Sequence, residues 1–301
     1  MNTLKQNQFL QGIIFLALAQ TMVGVNIVAS KLLLSSIPVL VLLEIRFLVA
    51  TCVLLPLHWL TPHRKLSLKT HFVALESRDW FFVLAQALSA GVLFNAIMLT
   101  GLSYTDANVA GVITSTLPAM IAVLSWLILC EKISAQKALC VVFATMGLIV
   151  IAYDKIKGVS PSHSFWGDAL ILLSLLPEAS YYVLCKLYKN RLPIFLTSAV
   201  LNGINALLLL PVLFFVTWDP AGINAITWLI LLVIGLSSGL FYVFWFMGAK
   251  HVDGIMASLS TAFMPIATVI LAWIILGERL TIVELLGMGL VLFSIALYAR
   301  K

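Results

Sequence analysis

Long apolar runs broken by short polar segments dominate this chain. The runs cover about residues 10–30, 37–59, 80–101, 107–129, 136–153, 167–188, 194–216, 226–249, 254–276 and 281–299. Each approaches the ~20 residues that a helix needs to cross a bilayer. None shows the two-residue alternation of a membrane barrel strand. The pattern predicts an all-α integral membrane protein of ten transmembrane helices. The longest polar break, about 60–79, holds Arg64, Lys65, Lys69 and Arg78.

Composition sharpens this picture by exclusion. Charged residues make up 10% of the 301 and apolar ones 62%, with a mean hydropathy of +1.10. A soluble domain carries about 25% charged residues, so this chain lacks the means to cover a water-facing surface. The net charge of +6 comes from Lys and Arg at span ends and does not point to nucleic acid. With the N-terminus in the cytoplasm, inside segments carry 13 Lys and Arg and outside segments 4, and Arg46 lies within a span. The positive-inside rule then puts both termini in the cytoplasm, and a bacterial inner membrane is the expected location. Ala17-Leu18-Ala19 resembles a signal-peptidase site, but the apolar run continues to about residue 30. The four cysteines, Cys52, Cys130, Cys140 and Cys185, form no CxxC pair, so neither a disulfide framework nor a metal site is suggested.

An internal repeat organises the chain. Offset by 147, Gly101, Asp106, Ala110, Thr114, Pro118, Leu124, Trp126, Ile128, Leu129 and Glu131 fall on Gly248, Asp253, Ala257, Thr261, Pro265, Leu271, Trp273, Ile275, Leu276 and Glu278. That is ten identities in 31 ungapped positions. Offset by 155, Gly12, Lys31, Pro38 and Pro56 fall on Gly167, Lys186, Pro193 and Pro211. Two five-helix units are expected, residues 1–155 and 156–301. Five is odd, so the second unit enters the membrane from the opposite side. Inverted repeats of this kind are the architecture of many alternating-access transporters.

The two halves resemble paired EamA domains of the drug/metabolite transporter superfamily. The resemblance rests on the five-plus-five arrangement, Gly24-x-Asn26 followed by Lys31, Arg46 in helix 2, the Pro118/Pro265 pair, and the Glu131-Lys132 and Glu278-Arg279 ends of helices 4 and 9. It covers nearly the whole chain and implies transport of small solutes, among them amino acids, drugs and nucleotide-like metabolites.

Charges inside a span are expensive and point to function or pairing. Arg46 lies about 13 Å and Glu178 about 16 Å into their spans at 1.5 Å per residue, near the midplane where transporter sites lie. Glu44 is shallower and on another side of helix 2. Under the repeat, Arg46 falls on Leu201 and Glu178 on Val23, so neither charge belongs to the shared scaffold. Arg46 is expected to attract a substrate carboxylate. Glu178 is expected to bind an amine or take up the coupling proton. The plainer alternatives are a structural ion pair between the two, or Arg46 bonding to backbone.

Pro118 and Pro265 are expected mid-helix, where each frees a carbonyl, of Thr114 and Thr261, that can bind polar solutes; a packing kink satisfied by neighbouring Ser and Thr is the plainer reading. Pro177 is expected to break helix 6 beside Glu178. Asn26, Asn95 and Asn202 are further candidate lining groups, as are Tyr181, Tyr182, Tyr242 and Trp245, whose rings suit a planar substrate. Gln86 and Asn205 belong with them. Packing is the plainer reading of each aromatic alone. Glu131 and Glu278 read as structural, with Ser134 and Thr281 as N-caps of the next helices. Gly235-xxx-Gly239 fits close helix packing.

No GxxxxGK[ST] or HExxH motif is present. Gly235-Leu236-Ser237-Ser238-Gly239 matches GxSxG, but no histidine lies at mid-depth to act as base. The reading is a secondary transporter, not an enzyme, for small polar metabolites, amino acids or derivatives first, with export favoured. Uptake or exchange of a larger nucleoside-like metabolite or an organic cation is the alternative, and an intramembrane serine hydrolase a distant one. The expected partners are the substrate and the bilayer, in a monomer or weak dimer, with no cofactor, metal or nucleic acid.

Overall fold

The computed structural model describes residues 2–62, 67–114, 116–129, 164–188, 191–219, 223–252, 257, 260, 261, 263–278, 281–283, 285, 286, 289, 290 and 293. Apolar runs become helices because a backbone in lipid has no other partner for its N–H and C=O groups. They are α1 (Asn2–Leu33), α2 (Val39–His58), α3 (Leu68–Val73), α4 (Ser77–Gln86), α5 (Phe94–Leu102), α6 (Ala107–Thr114), α7 (Leu117–Leu129), α8 (Phe165–Leu187), α9 (Ile194–Leu213), α10 (Ala225–Ala249) and α11 (Phe263–Leu271). A π-helical stretch, Ala87–Leu93, joins α4 to α5, and a second, Ala272–Leu276, follows α11.

Six of these helical segments are long and apolar enough to cross a membrane: Asn7–Leu33, Val39–His58, Ser77–Leu102, Phe165–Leu187, Ile194–Pro211 and Ala225–Ala249. Leu117–Ile128 and Phe263–Leu276 are shorter apolar helices. Predicted helix 5 lies outside the described residues, as do Glu131, Ser134 and most of predicted helix 10. The polar break after α2 contains α3, started by Ser67, whose hydroxyl accepts from the Thr70 N–H. Thr281 stands just before the helical residue 282 and its carbonyl accepts from Leu285, as an N-cap does.

Local sequence sets the helix ends in matched ways. Pro38 and Pro193, repeat partners, stand just before α2 and α9, and their carbonyls accept the first helical N–H groups, from Leu42 and Thr197. Pro56 and Pro211 lie in the last turns of the same two helices, each of 20 residues. Asn224 caps α10 through the Thr227 N–H, and Gly277, at φ 65°, closes the helical stretch Phe263–Leu276 in the left-handed region.

Three proline expectations need correction. Helix 4 ends at Thr114 and restarts at Leu117, so Pro118 sits in the first turn of α7, where its missing N–H costs nothing. Thr114 and Thr116 donate to the Gly111 and Ile113 carbonyls and compete with the helix there. Pro265 likewise sits in the first turn of α11, and the Thr261 carbonyl is not free but accepts from Met264. Pro177 does not break its helix: α8 runs unbroken from Phe165 to Leu187.

The spans pack as a closed ring. α1 packs on α10, α10 on α2, α2 on α9, and α9 on the π-helical stretch between α4 and α5. That third span packs on α8, α8 on α6 and α7, α6 on α11, and α11 on α1. We call the end where α1 begins the near end and the end where it finishes the far end.

Candidate functional site

At mid-depth the ring is held close by small residues. A Cβ at Gly235 would lie 3.2 Å from the Arg46 carbonyl oxygen, and Gly239 is pressed against Leu54 and Ala50. The Gly235-xxx-Gly239 pair therefore seats α10 on α2, as its spacing suggests. The Ser237 hydroxyl between them donates to the Ile234 carbonyl of its own helix at 3.0 Å.

Arg46 is 2% exposed on α2, and its guanidinium lies over the Phe47 ring, 4.9 Å from the centroid. Glu178 is 1% exposed on α8. The two do not pair: Arg46 Nε and Glu178 Oε2 have no hydrogen-bond partner among the described residues. The Tyr242 hydroxyl, on α10, lies within electrostatic reach of both charges.

Glu178, Tyr181, Tyr182 and Cys185 recur at helical spacing and share one face of α8. The Tyr182 ring stands edge-on to Tyr181, 5.3 Å away, and to Trp245 of α10, 4.7 Å away. Tyr181 meets Tyr242 at 5.8 Å and Phe241 at 6.2 Å. α8 and α10 are not neighbours in the ring, so these aromatics meet across its middle. From α1, Gln20 also reaches across and donates its amide N–H to the Tyr182 hydroxyl at 3.0 Å.

A second polar seam lines α9. Ser198 donates to the Gly239 carbonyl at 2.8 Å, Asn202 to the Ser198 carbonyl at 2.8 Å, and Ser238 to Asn202 Oδ1 at 3.3 Å. Asn202 thus ties α9 to α10. One turn on, the Asn205 amide packs directly on Gly91 of the π-helical stretch, and neither of its polar atoms has a partner among the described residues. Asn95 donates to the Ala90 and Gly91 carbonyls at 2.8 and 2.7 Å, holding that wide turn. π-turns of this kind recur at functional sites.

Asn26 donates to the Met22 carbonyl at 3.2 Å, and its Oδ1 has no described partner. Thr114 and Thr261 are fully buried at the helix interruptions.

Sequence reasoning missed Gln20, which is fully buried. The signal was present: under the repeat Gln20 falls on Leu175, the same break of symmetry that marks Glu178. It also placed Glu44 aside, whereas Glu44 is 2% exposed with both carboxyl oxygens unpartnered among the described residues. Gln20 Oε1, both polar ends of Gln86 and the Tyr181 hydroxyl share that condition. A buried polar atom left unpaired costs about 1–3 kcal/mol. No group of three or more His, Cys, Asp and Glu residues that could hold a metal occurs among the described residues.

Comparison with known proteins gives a consistent picture. The sequence profile of the EamA-like transporter family matches residues 10–153 and again 165–300. The chain is 28% identical to the uncharacterized transporter YetK of Bacillus subtilis (strain 168), over 93% of this chain and 84% of that protein. It is 27% identical to the uncharacterized transporter YvbV of the same organism, over 96% and 91%. A solved crystal structure superposes with a TM-score of 0.66 over 97% of this chain and 96% of that one, at 16% identity, which speaks to the fold alone.

Proposed function

Given that the chain belongs to the EamA-like transporter family, we propose that it is a secondary transporter that exports small polar metabolites, amino acids or their derivatives foremost, by alternating access. The observation that carries this reading is the pair of opposite charges, Arg46 and Glu178, buried in the ring on separate spans and not bonded to each other. A zwitterion offers a carboxylate for Arg46 and an amine for Glu178, with Tyr242 within electrostatic reach of both. Glu178 is also the group for a coupling proton.

We read the architecture as ten spans in two inverted units, 1–155 and 156–301, in a bacterial inner membrane with both termini in the cytoplasm. Two contacts support the inversion. Gly12 meets Gly248 at the near end, and Gly101 meets Gly167 at the far end. The repeat maps Gly12 onto Gly167 and Gly101 onto Gly248, so each contact is the other's image on the opposite side. The packing ring is likewise returned to itself when spans 1, 2, 3 and 4 are exchanged for 6, 7, 8 and 9.

A second reading keeps transport and changes the cargo to a larger nucleoside-like metabolite or an organic cation. The aromatic faces of Tyr181, Tyr182, Tyr242 and Trp245 favour it, because rings stack on planar solutes and attract cations.

Uptake of a labelled amino-acid panel into proteoliposomes, with and without an imposed pH gradient, separates these. Gradient-driven uptake that disappears in Glu178→Gln is expected. Uptake indifferent to both the gradient and the substitution removes Glu178 from coupling. Transport of a nucleoside or organic cation alone favours the second reading.

A further inference from the structure

Gln20 has no part in the proposed exchange of substrate, yet it is one of the best-placed polar groups in the ring. It comes from α1, is fully buried, and donates to the hydroxyl of Tyr182 on α8. Tyr182 stands one turn beyond Glu178 on the same buried face of α8, within electrostatic reach of the Glu178 carboxyl. Trp245 and Tyr181 both pack edge-on against the buried Tyr182 ring. The ring is therefore fixed, and the freedom left to Tyr182 is rotation of its hydroxyl proton.

A phenol has one proton and accepts through its oxygen. Once that oxygen accepts from Gln20, its proton is free to point at Glu178. Among the described residues Glu178 Oε2 has no partner, so Tyr182 is the protein group positioned to steady the carboxylate. A hydrogen bond into an ionised acceptor is stronger than one between neutral groups, and a chain of two polarises further. The amide of Gln20 is two-faced. Turned about its terminal bond, it offers Oε1, which now has no partner, as an acceptor for the Tyr182 proton. The Tyr182 oxygen then accepts from a protonated Glu178. Each protonation state of Glu178 has one bonded arrangement of the same three residues, and the passage between them needs only a hydroxyl and an amide rotation.

We propose that Gln20 is a positioning residue that sets how readily Glu178 gains and loses its proton, acting through Tyr182. The proposal deepens the transport reading above and rests on it for its purpose, though not for its measurement. The other titratable groups around Glu178 are few. Tyr181, Tyr182 and Cys185 stand on its own face, and Tyr242 faces it from α10. α5, α6, α7 and the Ala87–Leu93 stretch carry no charged or titratable side chain, and α4 carries Arg78 and Asp79 only in its first turn, at the near end. Lys186 lies in the last turn of α8 and Asp168 in its first.

The test reads the proton and not the cargo. Purified protein in lipid is titrated by infrared spectroscopy, following the carboxyl band that is lost in Glu178→Gln. Tyr182→Phe is expected to raise the pH at which that band appears by about one pH unit, since the bond it removes from the ionised carboxylate is stronger than the one it removes from the protonated acid. Gln20→Met is expected to move it the same way by about a third as much, the scale of cooperative polarisation. The double variant is expected to match Tyr182→Phe alone. Gln20→Asn, whose amide is too short to reach, stands in if Gln20→Met does not fold. A midpoint unmoved in the Gln20 variants overturns the proposal. So does a Gln20 effect that adds in full to that of Tyr182→Phe, or a Glu178 band that never titrates. A moved midpoint with transport indifferent to pH would instead sink the coupling reading and leave the relay standing.

Discussion

The two ends of the bundle share a scaffold and differ in what fastens it. At the far end, Lys31 in the last turn of α1 donates to the Leu102 and Thr105 carbonyls, the Leu102 bond at 2.8 Å. Thr105 in turn donates to Asp168 at the start of α8, at 2.9 Å. The Glu278 carboxylate accepts the Ala107 N–H that opens α6, at 3.1 Å, a bond from the second half of the chain to the first. At the near end the matched residue Lys186 donates to Ser125 on α7, and a different cluster takes over. Tyr188 donates to Asp79, which also accepts the Glu76 N–H at 2.9 Å and pairs with Arg191 at 3.3 Å. None of Thr105, Asp168, Asp79 and Tyr188 has a repeat partner of like chemistry: they fall on Val252, Ile13, Ile226 and Leu33. The glycine contacts are duplicated and the polar clasps are not. Under the proposed alternating access the halves exchange roles, which requires the first to be alike. The two ends need not close by the same bonds.

The largest effect should come from testing the likeness. A Cβ at Gly101 would lie 2.8 Å from the Gly167 carbonyl oxygen, and one at Gly248 2.8 Å from that of Gly12. Backbone does not yield as a side chain does, so Gly101→Ala and Gly248→Ala should each cost about 2 kcal/mol, the scale of overpacking. Melting in detergent should fall by similar amounts in both. Gly203→Ala, where the nearest atom is 3.5 Å away, should be neutral. Unequal losses at Gly101 and Gly248 would break the equivalence of the two contacts.

Much of that scaffold was legible because it is written twice. Pro38 and Pro193, Pro56 and Pro211, and the four glycines appear as repeated letters, and each pair does the same work in the structure. The site was legible only where charge made it conspicuous. Arg46 and Glu178 stand out in an apolar run, and the structure buries both. Gln20 is neutral and easily passed over, although the repeat marks it equally well. The prolines show what single residues conceal. Whether Pro118 kinks a helix or begins one depends on Thr114 and Thr116 binding their own carbonyls upstream, and Pro177, inside a long packed span, interrupts nothing.

Next in size is the near-end clasp. Asp79 is 2% exposed, and the Tyr188 phenol stacks at 4.8 Å on Phe82. Burial and the bond to Asp79 push that phenol up to about 12, so it stays protonated and donating at any physiological pH. The raised value favours the fold below pH ~10, the free phenol's range, and the benefit fades as pH climbs through about 12. Tyr188→Phe keeps the stacking and removes the donor. It should lower stability by about 1.5 kcal/mol, the worth of a hydrogen bond to a charged group. Arg191→Gln should cost less, because that pair is half open to solvent. A larger loss in Arg191→Gln, measured by the same melts, would make the clasp electrostatic and not phenolic.

The smallest effect is the most telling about the two ends. Lys31 neutralises carbonyls at the end of α5 that no intrahelical N–H can reach. Lys31→Met should therefore weaken the far end by about 1 kcal/mol, which corresponds to about a fivefold larger open population. Leu102 is fully buried beneath that clasp, so a cysteine placed there in a background free of other cysteines reports the opening. Its labelling by an impermeant maleimide should rise about fivefold with Lys31→Met. Lys186→Met alters the other end and should leave the rate at position 102 unchanged or lower it, since under the proposed alternating access loosening one side favours closure of the other. An equal rise with both substitutions would mean that the lysines merely support the fold. The ends would then differ in sequence without differing in what they gate.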